Sequence, residues 1–486
     1  MAQSLKKNLV YNILINLSSV IFPFITAPYV ARVLEPEGVG LFNFANTYAG
    51  YFALVAALGI PTYGVREVAK VRDDREKLQT LVSQLISINV LTTIIVTIIY
   101  LLSIAFIGQL NENYIIFIVA GIVLYMAPFK TNWFFNGLED FGFLTLRTLA
   151  MRVLSLVALF MFVHKKDDLI IYIIIYVLSS VLGDIWNYVM MINNNVRPRF
   201  TLRGLKQHLN PLLVLFSSAI AISIYTILDT LMIGFISEYS QVGYYNSASH
   251  ISKAILAAVT SLSAVAIPRI SHYLKNGETE KINELVNKSL SFVSFLAFPI
   301  SIGIFCIAPV FVPLFFGEEF YGAIVPLQIL GFLIVAIGLN NLSGVQILIG
   351  MGYDKLFLYS VLVGTFVNFS LNSVLIYYMG AVGASIASIT AEIIILFVTT
   401  VYVYKKTSIR INNIKDITIS FAGSLILFPV FWGLSIVLDN WMLVIAFTLL
   451  GGLSYIAIEY GLKSSSLKML IDVLMYKLKK NESNIK

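Results

Sequence analysis

The 486 residues are 58% hydrophobic and only 12% charged, with a net charge of +7. That mix is far from a soluble globular chain and leaves no room for a soluble catalytic domain. A helix needs roughly 20 apolar residues to cross the bilayer core, and the chain holds about fourteen such stretches joined by short connections.

In chain order the predicted spans cover approximately 9–34, 41–63, 82–107, 114–137, 145–163 and 169–192, then 211–236, 243–267, 289–315, 323–349, 356–378 and 381–404, and last 416–438 and 441–462. The first follows Lys6 and Lys7 but is long, contains Pro23 and Pro28, and lacks a small-residue cleavage site. It reads as a retained helix, not a signal peptide. Pro128, Pro299, Pro309, Pro326 and Pro429 also fall inside spans, where each removes a backbone hydrogen bond and marks either a static kink or a hinge.

Lysine and arginine set the orientation. One set of alternate connections carries Arg66, Lys70, Arg72, Arg75 and Lys77, then Arg197, Arg199, Arg203 and Lys206, then Arg269, Lys275, Lys281 and Lys288, then Lys405, Lys406, Arg410 and Lys415. The opposite set carries Glu35, Glu37, Glu112, Glu238, Glu318, Glu319 and Asp439, with Lys165 and Lys166 followed by Asp167 and Asp168. The basic set is expected in the cytoplasm, with both termini there and an even number of helices. The positive charge thus follows from topology, and no nucleic-acid partner is expected.

The chain also repeats itself. Val39, Gly40, Asn43 and Ala45 recur as Val242, Gly243, Asn246 and Ala248. Ile60-Pro61 recurs as Ile267-Pro268, and Glu76, Lys77, Leu81 and Val82 recur as Glu280, Lys281, Leu285 and Val286. These anchors are 203, 207 and 204 residues apart. An even number of helices per repeat makes the two halves parallel, the usual architecture of a secondary transporter with its substrate held between them. The expected organisation is an all-α integral membrane protein: a six-helix lobe over 1–195, a linker over 196–210 and a second six-helix lobe over 211–406. Two additional helices follow over 407–463, then an amphipathic tail over 464–486, with Leu467, Leu470, Ile471, Leu474 and Leu478 at helical spacing.

Charges inside spans are the candidates for function, since each costs on the order of 3 kcal/mol unless it meets a partner or water. Lys253 falls near the middle of the eighth span and shares a helix face with His250 and Asn246. It faces either a central aqueous cavity or a structural ion pair. Thr145, Thr148, Arg152 and Ser155 form a second stripe, and Lys130 and Asp184 come to a comparable depth. Either Asp184 pairs with Lys130 or Arg152, or the surplus cation binds phosphate oxygens. Arg32, just before Glu35 and Glu37, is a snorkelling ion-pair residue or an outer gate. Asp229, Glu392 and Asp184 are the carboxylates available to a coupling proton or sodium ion. Asn12 and Asn16, Asn340 and Asn341, and Asn368 and Asn372 either line a sugar-accommodating cavity or join helices to each other.

His164, His208, His250 and His272 lack metal-ligand spacing, and Cys306 stands alone, so no metal, cofactor or internal disulfide is expected. No phosphate loop, nucleophile elbow or zinc-protease motif is present.

The run Ala31-Arg32-Val33-Leu34-Glu35-Pro36-Glu37-Gly38-Val39-Gly40, the later Asp229-Thr230-Leu231-Met232-Ile233-Gly234 and the Val242-Gly243-Tyr244-Tyr245 that follows it resemble the polysaccharide repeat-unit flippases. These are the O-antigen and capsule transporters of the multidrug/oligosaccharidyl-lipid/polysaccharide exporter superfamily, and the resemblance spans essentially the whole chain. It implies two lobes that open alternately to each side of the bacterial inner membrane. The implied substrate is an undecaprenyl-pyrophosphate-linked oligosaccharide moved to the outer leaflet. The implied partners are membrane lipids, a coupling H+ or Na+ and the polysaccharide polymerase machinery. Lys253, Arg152 and Lys130 suit the pyrophosphate by their charge. The competing readings are the same fold exporting lipid II or cationic drugs and, more remotely, a membrane polymerase or acyltransferase.

Overall fold

The computed structural model describes residues 5–260 and 263–468. Among these residues nine helices are long and apolar enough to cross a membrane. By internal contacts the chain divides into two units, Met1–Gly243 and Tyr244–Lys486. The amphipathic tail enters the described residues only as a helical start at 465–468; Leu470, Ile471, Leu474 and Leu478 lie outside them, as does the side chain of Asn12.

The first unit begins with α1, Leu5–Ala57, one helical run that contains the first expected span and most of the second and breaks at Glu35, where φ is 57° and ψ 176°. A proline biases the residue before it away from the helical region, and of the three prolines in α1 only Pro36 has the break, at Glu35. A positive φ at a residue with a side chain costs on the order of 1–3 kcal/mol and is retained only where its surroundings demand it. Next come α2 (Ile60–Val71) and α3 (Arg75–Phe106). Asp74 caps α3 by accepting from the Lys77 amide at 3.1 Å.

The expected fourth span, 114–137, is not one helix. After α4 (Gly108–Asn111) it runs as α5 (Tyr114–Ala120), α6 (Ile122–Tyr125), a 3-10 turn at Ala127–Phe129, and α7 (Asn132–Gly137). Pro128 has no N–H for a helical bond, and the chain leaves helical geometry at Lys130. The unit continues with α8 (Phe141–Phe162), α9 (Leu169–Asn193) and α10 (Lys206–Ile236), and ends in the first turn of α11 (Tyr239–Thr260). On the basic side, Ile60, Tyr63 and Val68 of α2, Leu81, Val82 and Leu85 of α3, and Trp133 and Phe134 of α7 form one buried core with Leu212 of α10.

In the second unit α12 (Ser263–Lys275) is followed by α13 (Thr279–Phe316), then α14 (Ile324–Gly331) and α15 (Leu333–Asn340). Asn341–Ile349 is a π-helix, a form concentrated at functional sites. The fourth helix of this half is thus also irregular. α16 (Asp354–Lys406) contains two expected spans and breaks at Gly380, where φ is 52°. Three further helices follow: α17 (Ile414–Ser424), α18 (Leu427–Ser435) and α19 (Asn440–Gly461). α17 and α18 share the thirteenth expected span, and α19 is the fourteenth.

The repeat is legible in the hydrogen bonding as well. Gln79, Ser83 and Ser87 of α3 stand 204 residues before Asn283, Asn287 and Ser291 of α13. In the first unit the Arg197 amide donates to Gln79 Oε1 at 2.7 Å, Arg199 to Ser83 Oγ at 3.1 Å and Thr201 to Ser87 Oγ at 2.9 Å. Gln79 Nε2 returns a bond to the Arg197 carbonyl. In the second unit the Arg410 amide donates to Asn283 Oδ1 at 2.8 Å and the Asn412 amide to Asn287 Oδ1 at 2.9 Å, while Asn287 Nδ2 returns a bond to the Arg410 carbonyl at 3.1 Å. The geometry explains the spacing. Four residues of helix rise about 6 Å, close to the roughly 6.6 Å of two extended residues, so alternate amides of the extended segment meet successive turns of the helix.

Candidate functional site

In the first unit Arg152 leans toward the first half of α1. Its guanidinium donates to Ser18 Oγ and, at 3.5 Å, to the Ile15 carbonyl, and lies 6.0 Å from the centre of the Phe22 ring. Tyr176 of α9 is its electrostatic neighbour and is hydrogen-bonded to Asn46 of α1. Phe42 packs edge-on against Tyr172 and Tyr176, with centroids 4.8 and 4.9 Å apart. A guanidinium beside a serine hydroxyl, a tyrosine and an aromatic face can donate charge-assisted hydrogen bonds to an anion.

Asp184 is elsewhere. It is buried, and its cationic neighbours are Lys130 and Arg147, not Arg152. Arg147 is itself buried and donates to Asn132 Oδ1 at 2.6 Å, the same oxygen that accepts from Asn187 at 2.5 Å. Among the described residues no cation comes within 4.0 Å of the Asp184 carboxylate, so the expected salt bridge to Arg152 or Lys130 is replaced by a looser knot around Arg147. Sequence reasoning passed over Arg147 because it falls off the Thr145–Arg152 stripe. The rule that selected Arg152, a guanidinium inside a span, applies to it equally. Lys130 is exposed, at the point where the chain leaves helical geometry.

In the second unit Asn246, His250 and Lys253 do share a face of α11. His250 and Lys253 are both exposed, and Lys253 is the charged neighbour of His250. One turn before Ser249, Tyr245 meets Ser388 of α16 at 3.2 Å. Glu392 is buried and accepts from Asn340 Nδ2 at 3.3 Å. Asn340 Oδ1 accepts from Thr399 at 3.3 Å, and Thr399 meets Ser343 at 2.8 Å, which ties the carboxylate to the start of the π-helix. Asn372 donates to Asn368 Oδ1 within its own helix at 3.1 Å. Asp229 is half-buried.

At the acidic side of the first unit, Glu35 pairs with Lys166, and Arg32 is exposed. The strained turn at Glu35 presses the Pro36 carbonyl onto Gly243: a Cβ built there would lie 2.2 Å from that oxygen. A Cβ on Gly40 would lie 1.6 Å from the Tyr239 carbonyl oxygen. Only glycine allows backbones this close. Phe44 closes the layer beneath, edge-on to Phe235 with centroids 5.0 Å apart and against Gly234.

A multi-pass helical membrane protein with broken helices and a few buried charges, and no soluble domain among the described residues, belongs to the class of membrane transporters. Residues 5–274, more than half of the chain, match the family described as polysaccharide biosynthesis protein, and residues 215–374 match the MatE family. The chain belongs to the polysaccharide biosynthesis protein family; it is a membrane transporter, not an enzyme. It is similar to the "Putative O-antigen transporter" of Escherichia coli (strain K12), 25% identical over 398 residues that cover 81% of this chain and 95% of that protein. Among solved structures it is similar to the lipid II flippase MurJ in an inward closed conformation, with a TM-score of 0.72, 17% identity and coverage of 93% of this chain and 98% of that one. It is also similar to the inward-facing conformation of a multidrug resistance MATE family transporter, with a TM-score of 0.63, 15% identity and coverage of 79% and 93%. These two likenesses show the fold.

Proposed function

We propose that the chain flips a lipid-linked oligosaccharide, joined to its polyprenyl carrier through pyrophosphate, from the inner to the outer leaflet of a bacterial inner membrane. Both termini then face the cytoplasm. The lobes over 1–195 and 211–406 alternate in access, and the helices over 407–463 are an addition to them. The observation that carries this reading is chemical. The described intramembrane cations Arg152 and Lys253 each stand beside groups that donate or accept hydrogen bonds, Tyr176 and Ser18 for the first and His250 for the second. Charge-assisted bonds to phosphate oxygens are about twice as strong as neutral ones, so such positions select an anionic headgroup. Lys130 adds charge near Arg152's helix. Asn246 and the Phe42–Tyr176 face contact sugar, Arg32 acts at the outer gate, and Asp229 or Glu392 takes the coupling H+ or Na+.

The test is restoration of surface polysaccharide in cells that lack the transporter. Lys253→Ala and Arg152→Ala should each reach the membrane at normal levels and fail to restore polymer, while Arg152→Lys should restore it in part. Full restoration by both alanine variants would refute the cationic headgroup site. A second reading, export of lipid II, draws on the shared fold with a lipid II flippase. It shares the pyrophosphate but not the oligosaccharide, and rescue of cells depleted of their lipid II flippase would favour it.

A further inference from the structure

The last two spans meet α13 through a buried layer of polar groups that the transport reading leaves unused. Each of the three helices contributes two positions one turn apart. These are Ser291 and Phe295 on α13, Asp416 and Ser420 on α17, and Tyr455 and Glu459 on α19. Residues four apart stack on one helix face, so the three faces meet in register. At one level the Tyr455 hydroxyl donates to the Phe295 carbonyl at 3.0 Å and stands beside Ser420. One turn nearer the basic side, Ser291 donates to Asp416, and Glu459 Oε1 lies 2.8 Å from the Tyr455 hydroxyl, which shares its one proton between this oxygen and the Phe295 carbonyl. α17 runs away from the basic side and α19 back toward it. Asp416 and Glu459 therefore lie at the same depth.

The two carboxylates differ in their partners. Asp416 Oδ2 accepts from Ser291, from Ser465 and, at 3.4 Å, from Asn413. Glu459 is fully buried, and its Oε2 has no hydrogen-bond partner among the described residues. Ser420 Oγ, also fully buried, stands beside the Tyr455 hydroxyl without meeting it in hydrogen-bond geometry, and Ser464 and Ser466 are buried and unpartnered as well. Among the described residues no lysine or arginine comes within ion-pair distance of Asp416 or Glu459. A buried ionised carboxylate without a partner is costly, and the unmet hydroxyl of Ser420 lies in the same layer, while the Ser464 amide bonds the Glu459 carbonyl. Carboxylate and hydroxyl oxygens select hard cations. Three donors already compensate Asp416, which leaves one unmet charge, and one positive charge balances it.

We propose that Glu459, Ser420 and Asp416 hold a sodium ion that fastens α17 and α19 to α13. The site lies outside the proposed headgroup positions and is distinct from the coupling-ion candidates Asp229, Glu392 and Asp184. Its role is structural, bracing the added helices against the second half.

The experiment is thermal unfolding of the detergent-purified full chain in choline chloride, titrated with sodium chloride and, in parallel, with potassium chloride at matched ionic strength. Binding to the folded state alone raises the unfolding midpoint with ligand concentration. The expected result is a saturable rise with sodium and a clearly smaller one with potassium. Glu459→Gln should unfold at or above the wild-type choline midpoint and lose the sodium response. Ser420→Ala, a milder change that keeps the packing, should raise the half-saturating sodium concentration several-fold. Equal responses to sodium and potassium in the wild type would overturn the proposal, as would an unchanged sodium response in both variants. A Glu459→Gln protein more stable than a sodium-indifferent wild type would show that the layer holds a shared proton instead.

Discussion

Gly40 and Gly243, equivalent positions of the internal repeat 203 residues apart, each lie against a backbone carbonyl of the other copy. Gly40 abuts Tyr239 and Gly243 abuts Pro36, and those two contact residues are themselves 203 apart. The contact is therefore pseudo-symmetric, and each half supplies one glycine and one carbonyl. A methyl group at either glycine would fall far inside van der Waals contact with an oxygen, and the Glu35 turn leaves the Pro36 oxygen little freedom to retreat.

Alanine at Gly40 or Gly243 should hold these segments apart. Overpacking costs about 1–3 kcal/mol, which biases a two-state equilibrium by about 5- to 150-fold against the contact. A single cysteine at Tyr239, in a Cys306→Ser background, should react faster with a membrane-impermeant maleimide in the Gly40→Ala protein than in its parent. Equal labelling rates would mean the segments do not rely on this approach.

The two arginines of α8 should separate cleanly. Arg147 is buried in the Asn132–Asn187 knot beside Asp184, and removing one side of such an arrangement costs about 3–5 kcal/mol. Arg147→Met should lower the unfolding temperature and the yield, and pairing it with Asp184→Leu should recover part of the loss. Arg152→Ala, whose partners are Ser18 and the Phe22 ring, should unfold near the wild-type temperature while losing transport. If Arg152→Ala were the less stable of the two, their assigned roles would be exchanged.

The paired ladders predict an order of stabilities. Asn287 makes three bonds to the 410–413 segment and Ser83 one to the 197–203 segment. At about 1 kcal/mol for each net hydrogen bond, Asn287→Ala should cost about 2 kcal/mol more than Ser83→Ala. Chemical denaturation in detergent micelles measures the difference. Equal losses would show that the segments are held by packing alone.

His208 supplies a pH dependence. Its Nδ1 lies 2.8 Å from Tyr63 Oη and its Nε2 2.8 Å from Gln84 Oε1. Burial holds its pKa below the ordinary 6.5, with the Glu67 carboxylate opposing. As pH falls below about 6.5, the unfolded chain takes up a proton that the folded chain refuses, so stability declines through that window and is complete above it. His208→Gln should flatten the fall in unfolding temperature between pH 7.5 and 5.5. A slope identical to that of the wild type would assign the effect to other groups.

Much of this architecture is written in local sequence. Runs of apolar residues near the bilayer's thickness mark the spans, and the alternation of basic and acidic connections marks their two sides, because both follow from transfer free energies that each segment meets alone. The repeat survives as anchors because small residues such as Gly40 and Gly243 have no substitutes at a close contact. The interruptions at Pro128 and in the 323–349 stretch were less legible, since a proline inside an apolar run signals a kink or a break equally.

Which charges meet was decided by tertiary structure alone. Sequence placed Arg152, Lys130 and Asp184 at similar depths, but rotation about the helix axes turned Arg152 toward Ser18 and brought Arg147 to Asp184. Asp416 and Glu459, more than 40 residues apart and each near a span end, look like ordinary interfacial acids in sequence. Their burial together depends on how α17 and α19 dock on α13. Depth is a property of one helix, whereas partnership depends on azimuth and on the neighbour, and only the packed fold specifies both.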